Sequence, residues 1–239
     1  MSLLRKATKI GFGLSSSRGR RALREGVATA TEHLRILRAR QWKTIVDVGA
    51  NKGQFALAAH RVHPLAVIHS FEPLEGPASK FRGVLGDVPN VHLHRCAVGE
   101  SSAKASMNVS ARDDSSSLLP ISKKQNQLFP GTEAVGLEEV EVKTLEEVLS
   151  ASLIKPPALL KLDVQGYEYQ ALRGCEGVLS CFQGIYVECS LVELYAGQTL
   201  IAEIIAWLHA KGFRLTDIGD LTRGPDGSVV QGDFLFEKS

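Results

Sequence analysis

Short unbroken apolar runs alternate along this chain with stretches whose apolar positions recur every three or four residues. Thr44–Val48 (TIVDV) is continuous, β-branched and followed by Gly49, the pattern of a strand buried on both faces. Gln54–Val62 carries an apolar stripe at Phe55, Ala58, Ala59 and Val62, one face of a helix. Ala66–Phe71 repeats the strand pattern, Glu75–Leu85 the helical one with Gly86 near its end, and Val91–Arg95 alternates as a third strand. After a less regular middle the order resumes. Ala158–Val164 reads as a strand, Tyr167–Arg173 as a helix closed by Gly174, Gly184–Cys189 as a strand, and Thr199–Lys211 as an amphipathic helix stopped by Gly212. Phe213–Ile218 and Gly232–Glu237 are strands with no helix between them, and the Gly/Pro-containing turn Asp220–Gly227 makes them an antiparallel pair. A βαβαβ start, a second βαβ half and a terminal hairpin predict an α/β fold: a doubly wound, mostly parallel sheet with one reversed strand.

The middle, residues 100–143, is expected to be an irregular insertion. Residues 100–135 are rich in Ser, Lys and Asn and include the polar run Asp113–Ser117 (DDSSS). One or two short strands fit within it, and Glu139–Lys143 alternates as an added strand. Thr144–Ser150 then reads as a short helix with Thr144 as its N-cap. A loop of this length in a compact domain is a candidate substrate-binding element. The expected organisation is a basic helical N-terminal extension over residues 1–43 and a single domain over 44–239.

Composition narrows the class. With 239 residues and 44% hydrophobic content the chain fills one core and falls short of two ordinary domains. No apolar run is long enough for a transmembrane helix, and the N-terminus lacks the unbroken apolar segment of a secretory signal. Cys96, Cys175, Cys181 and Cys189 form no CxxC pair, so they read as reduced thiols of a cytoplasmic protein, with no disulfide framework and no zinc site. Residues 1–43 hold eleven Lys/Arg against two Asp/Glu, a net of +9, whereas the remainder nets −7. That head reads as a solvated helix with an Arg-rich face, capable of weak contact with an anionic membrane surface. It lacks the interleaved aromatics of a nucleic-acid-binding segment.

In an open parallel sheet, ligands bind beyond the carboxyl ends of the strands near the switch in strand order. That rule selects Asp47–Gly53, Glu72, Cys96–Gly99, Asp163–Glu168 and Glu188. Gly49 and Gly53 permit a tight turn and a close ligand approach, but the segment is not the GxGxxG of a dinucleotide site. No Lys-Ser/Thr pair follows, which excludes a triphosphate-binding P-loop. Glu72, at the end of the neighbouring strand, suits the two hydroxyls of a ribose. A cofactor with a ribose and no pyrophosphate fits best, and S-adenosylmethionine is the common one. Asp47 then either receives the ammonium of its methionine end or is buried against loop amides. Lys161 and Asp163 share one side of their strand, Asp163 falls where the chain leaves the sheet, and Glu168 opens the next helix, where the dipole favours a carboxylate.

Three blocks resemble the FkbM-type methyltransferases: VDVGANKGQF (Val46–Phe55), SFEP (Ser70–Pro73) and LLKLDVQGYEYQALRG (Leu159–Gly174). Weaker support comes from RCAVGE (Arg95–Glu100), Ser117-Leu118, VKTLEEVL (Val142–Leu149) and YVECS (Tyr186–Ser190). The resemblance spans residues 44–239 and implies a seven-stranded, Rossmann-like class I methyltransferase fold. It implies S-adenosylmethionine contacts by the loop containing Asp47, Gly49, Ala50, Asn51 and Gly53, by Glu72 on the ribose, and by Cys96 and Ala97 near the adenine. It implies O-methylation of a sugar, glycan or other small-molecule hydroxyl. The chain departs from the family pattern at Gln165, where Glu is usual, which removes a carboxylate available as base or metal ligand. Asp163 is the candidate base, with Lys161, Glu168 and Glu188 as supporting polar groups and no metal expected. Two other readings share the fold: a non-catalytic nucleoside-binding protein and a nicotinamide-dependent oxidoreductase.

Overall fold

The structure, a computed structural model, describes residues 3–238; Met1 and Ser2 of the basic head and Ser239 lie outside the described residues. Three helices come first: α1 (Leu3–Leu14), α2 (Ser17–Arg24) and α3 (Leu34–Arg38), with a 3-10 turn at Thr31–His33. The order then runs β1 (Thr44–Val48), α4 (Gln54–Val62), β2 (Val67–Phe71), α5 (Glu75–Leu85), β3 (Val91–His94) and β4 (Ala97–Val98). β5 (Ala103–Ser110), α6 (Lys123–Leu128), β6 (Ala134–Lys143) and α7 (Leu145–Val148) follow. The second half contains β7 (Ala158–Leu162), α8 (Glu168–Gly174), β8 (Gly184–Ser190), α9 (Ile201–Ala210), β9 (Phe213–Arg223) and β10 (Val229–Lys238).

Seven strands form one sheet in the order β3-β2-β1-β7-β8-β10-β9. The first five are parallel to their neighbours, and β10 runs antiparallel to both β8 and β9. All five residues of β1 and of β7 are buried, which is why both are apolar apart from Thr44, Asp47 and Lys161. One face packs Ile45, Ile68 and Leu159 under α4, α5 and the N-terminal helices, through Phe55, Phe81, Leu85, Ile36 and Trp42. The other packs Val46, Leu160, Leu162 and Val187 under α7, α8 and α9, through Leu145, Leu172, Ile204 and Leu208. The strand order reverses between β1 and β7, so the carboxyl ends of these two neighbours open the crevice that holds the site.

Two expectations change. The segment 100–143 is more regular than its composition suggests: β5 and β6 pair antiparallel along almost their whole length and join β4 in a separate three-stranded sheet. The first six residues of β6 are exposed, so no alternation of apolar side chains marks them as a strand. The terminal hairpin is also longer than expected. Asp220–Arg223 belongs to β9, and the turn narrows to residues 224–228, closed by a hydrogen bond from Gly227 N to Gly224 O at 3.0 Å. That outer end of β9 is polar and half-exposed, which hides it from a hydrophobic pattern.

Among the described residues, no helix is long and apolar enough to cross a membrane. The head packs against the sheet's helices. Ala22 and Leu37 are fully buried, and Arg18 donates to the Val84 carbonyl at 2.7 Å and pairs with Asp87 at 2.6 Å.

Candidate active site

The turn after β1 is built on three left-handed residues, Gly49 (φ 82°), Asn51 (φ 47°) and Gly53 (φ 86°). Gly49 is irreplaceable on two grounds. Its φ suits glycine, and a Cβ there would lie 1.8 Å from the Asp163 carbonyl oxygen. The turn is tied to β2 by bonds from the Gly49 and Ala50 amides to the Phe71 carbonyl, at 3.1 and 2.9 Å. Glu72, 6% exposed, completes the tie: Oε2 accepts from Asn51 N at 2.9 Å and Oε1 from Leu74 N at 2.8 Å. Burial pushes the Glu72 carboxyl up to about 7, against the pull of those two amides.

A cavity of about 280 Å³ lies over this turn. Gly49, Ala50, Asn51, Glu72, Ala97, Lys161 and Asp163 line it, so seven of the twelve residues singled out from the sequence meet there. Phe71, Leu74 and Val98 add an apolar wall, and Met107, Asp113, Asp114, Ser116 and Leu118 come from the insertion. Lys52 in the turn reaches Asp113 in the insertion at 2.5 Å. Lys9, Ala30, Glu32 and His33 complete the wall from the N-terminal head. Sequence reasoning missed these four, because nothing in a basic amphipathic head marks which side chains face a ligand.

The remaining five candidates are close to the cavity without lining it. Asp47 is fully buried and pairs with Lys161 at 3.0 Å, so it is shut off from any ligand ammonium. Gly53 caps α4 and presses on Phe81. Cys96 is buried in the core, and burial raises its thiol. Glu168, 2% exposed, turns back on its own loop and accepts from Val164 N at 3.0 Å and Gly166 N at 3.1 Å. It shapes the segment that carries Asp163. Burial holds its carboxyl at about 7. Glu188 sits behind the loop, and its carboxyl is pushed well up by burial and by the carboxylates of Asp163 and Asp233.

The floor of the site is a hydrogen-bonded network. Lys161 lies opposite Asp47 in the β1–β7 register, and its ammonium also contacts the Gly49 carbonyl at 3.2 Å and Asp163 at 3.6 Å. Burial alone would lower the Lys161 ammonium, but the carboxylates of Asp47 and Asp163 outweigh it and hold it above the usual lysine range. Gln165 adopts φ 54°, and its Nε2 donates to Asp163 Oδ1 at 2.8 Å and to Glu188 Oε2 at 3.0 Å. The Tyr195 hydroxyl donates to Gln165 Oε1 at 2.8 Å, with the Ser115 carbonyl 3.1 Å away as the alternative acceptor. Gln231 Nε2 donates to the other Glu188 oxygen at 2.9 Å. The Asp163 side chain keeps 34% of its surface exposed, so one carboxylate of this acid-rich floor faces the cavity. No group of three or more His, Cys, Asp or Glu is arranged to hold a metal ion among the described residues.

Comparison with known proteins adds to this geometry. The family model described as Methyltransferase FkbM domain matches residues 47–215. The chain is 32% identical to Methyltransferase 1 of Beauveria bassiana (strain ARSEF 2860), over 71% of each protein. It is 26% identical to the 2-O-methyltransferase NoeI of Sinorhizobium fredii (strain NBRC 101917 / NGR234), over 93% of this chain and 95% of that one. It is also 26% identical to the 31-O-demethyl-FK506 methyltransferase FkbM of Streptomyces tacrolimicus, over 71% of this chain and 72% of that one.

Proposed function

The chain belongs to the family described as Methyltransferase FkbM domain and is an S-adenosylmethionine-dependent methyltransferase, and from that premise we propose that it methylates a hydroxyl of a sugar, glycan or similar small polyhydroxylated acceptor. One observation carries this reading: the carboxylates of Glu72 and Asp163 line a single cavity, with the Gly49–Asn51 turn between them.

The residues present fit S-adenosylmethionine. Glu72 spends two acceptor sites on backbone amides and, when ionised, retains two for the 2′- and 3′-hydroxyls of a ribose. Phe71, Leu74, Ala97 and Val98 offer an apolar slot for a flat base. The cofactor, when bound, supplies a methyl group already activated on a sulfonium, so the protein's work is alignment and proton removal. Lys161 holds the Gly49 carbonyl and the Asp163 carboxylate in one geometry. Gln165 orients Asp163 from the other side. Asp163 accepts the proton of the acceptor hydroxyl as the oxygen attacks, which a sugar hydroxyl needs because it is a poor nucleophile. The insertion contributes Asp113, Asp114 and Ser116 to the cavity wall, polar groups suited to the hydroxyls of an acceptor. A hydroxyl acceptor is consistent with the 2-O-methyltransferase name of the relative that matches over 93% of the chain.

The test is transfer of an isotopically labelled methyl from S-adenosylmethionine to a panel of deoxyhexosides, oligosaccharides and macrolide alcohols, read by mass spectrometry, with calorimetry of S-adenosylhomocysteine alongside. Labelled methyl ether on a hydroxylated acceptor is the expected result. With amine and carbon-nucleophile acceptors added to the same panel, binding of S-adenosylhomocysteine with transfer only to those would overturn the hydroxyl assignment.

A further inference from the structure

The amino-acid end of the proposed cofactor lacks its expected partner. Asp47 is sealed beneath Lys161 with no exposed surface. The other charged groups on the cavity wall are already engaged. Lys161 serves Asp47 and Asp163, Lys52 serves Asp113, and Asp114 pairs with Arg112. Glu72 accepts two backbone amides, and Asp163 accepts from Gln165. One pair is left. Lys9 of α1 and Glu32 of the 3-10 turn lie 2.7 Å apart on the cavity wall, with 18% and 25% of their side chains exposed.

We propose that Glu32 and Lys9 receive the ammonium and the carboxylate of the cofactor's amino-acid end, so that the N-terminal head, lying before the segment matched by the family model, completes the cofactor site. The inference rests on the S-adenosylmethionine reading above. A zwitterion entering beside an ion pair forms two crossed pairs and leaves the local charge unchanged, which matches an anion and a cation set side by side. Glu32 is held in place. Ala30 N donates to the Gln54 carbonyl at 3.2 Å, and the His33 ring packs edge-on to Phe55 at 5.5 Å, which fixes the turn against the start of α4. That nine-residue helix has no acidic residue in its first turn, and its N-cap is Gly53, so its start also favours a ligand carboxylate.

The experiment is calorimetry on the full chain with two ligands: S-adenosylhomocysteine, and 5′-methylthioadenosine, which has the same nucleoside and sulfur but no amino-acid end. Glu32→Gln and Lys9→Met are each expected to weaken S-adenosylhomocysteine by about ten- to a hundred-fold and to leave 5′-methylthioadenosine unchanged. The charge swap Lys9→Glu/Glu32→Lys keeps the bridge between α1 and the turn. It should therefore restore the melting temperature of the single variants without restoring S-adenosylhomocysteine affinity. Equal weakening of both ligands, unchanged affinity in both single variants, or recovery of affinity by the swap would each overturn the proposal. A wild-type chain that binds neither ligand would instead sink the cofactor reading on which it stands.

Discussion

Lys161 places its ammonium 3.0 Å from the Asp47 carboxylate, across the neighbouring strands β7 and β1, with 6% and 0% of their side chains exposed. The pair anchors the glycine turn, because the same ammonium reaches the Gly49 carbonyl. Burying an ion pair yields little net stability, but removing one partner strands a charge in a low-dielectric interior. Lys161→Met is therefore expected to destabilise the fold by about 3–5 kcal/mol. The double variant Asp47→Val/Lys161→Met should recover much of that loss. Denaturant unfolding of the three chains measures it, and losses that simply add would refute the pairing.

Glu72 governs the pH dependence of cofactor binding. Its carboxyl sits at about 7 because it is buried, and the ionised form is the better acceptor for ribose hydroxyls. Affinity for S-adenosylhomocysteine should therefore rise as pH increases through 7. Glu72→Gln should weaken binding by about ten- to a hundred-fold at the alkaline end and flatten the pH profile. Titration calorimetry across the range reads both effects.

Glu168 gives a stability trend of the opposite sign. Its folded value of about 7 lies above its ordinary 4.5, so between these values the folded chain holds more protons than the unfolded chain. The penalty of ionising it is absent at low pH, accumulates through that window and is complete above about 7. Asp233, also raised to about 7 by burial, acts in the same direction. For these groups, the melting temperature should fall between about pH 5 and about pH 8. Glu168→Gln, whose amide oxygen can still accept from Val164 and Gly166, should make that fall shallower.

Gln165 keeps two carboxylates apart by giving one amide hydrogen to each. Gln165→Glu would place a third carboxyl between Asp163 and Glu188. The variant should melt several degrees lower near pH 8, a loss of about 1–3 kcal/mol, and less so near pH 5.5, because added protons relieve repulsion among crowded carboxyls. A divalent cation should restore part of the loss, because clustered carboxylate oxygens are ligands for hard cations. Identical melting at both pH values would show that the amide bonds carry no weight.

Asp163→Asn tests the base. Affinity for S-adenosylhomocysteine should stay close to that of the parent chain, and turnover should fall by about 10²- to 10⁴-fold. Undiminished turnover with an acceptor identified by labelled transfer would remove Asp163 from the proton-taking role.

Much of this site can be read in one dimension. Thr44–Val48 and Ala158–Leu162 are buried on both faces, so they appear as apolar runs interrupted by one charged residue each, and the rule on strand ends then points to the turn, Glu72 and Asp163. Gly49 is legible because a left-handed turn excludes most other residues. β6 was hard to read because its exposed faces leave no hydrophobic period. Asp47 stays open in the sequence, because a carboxylate beside a glycine turn looks the same whether it faces a ligand or a buried lysine.

The order of elements, the parallel sheet with its reversed strand and the positions of the chemistry-bearing loops follow from local patterning, because burial imposes a period on each segment independently of the rest. Tertiary structure alone decided which charges face the cavity. Lys161 cancels Asp47, Glu168 folds onto its own loop, and Lys9 and Glu32 arrive from a distant helix and turn. Such partnerships depend on register and packing between segments far apart in the chain, and no local period records them.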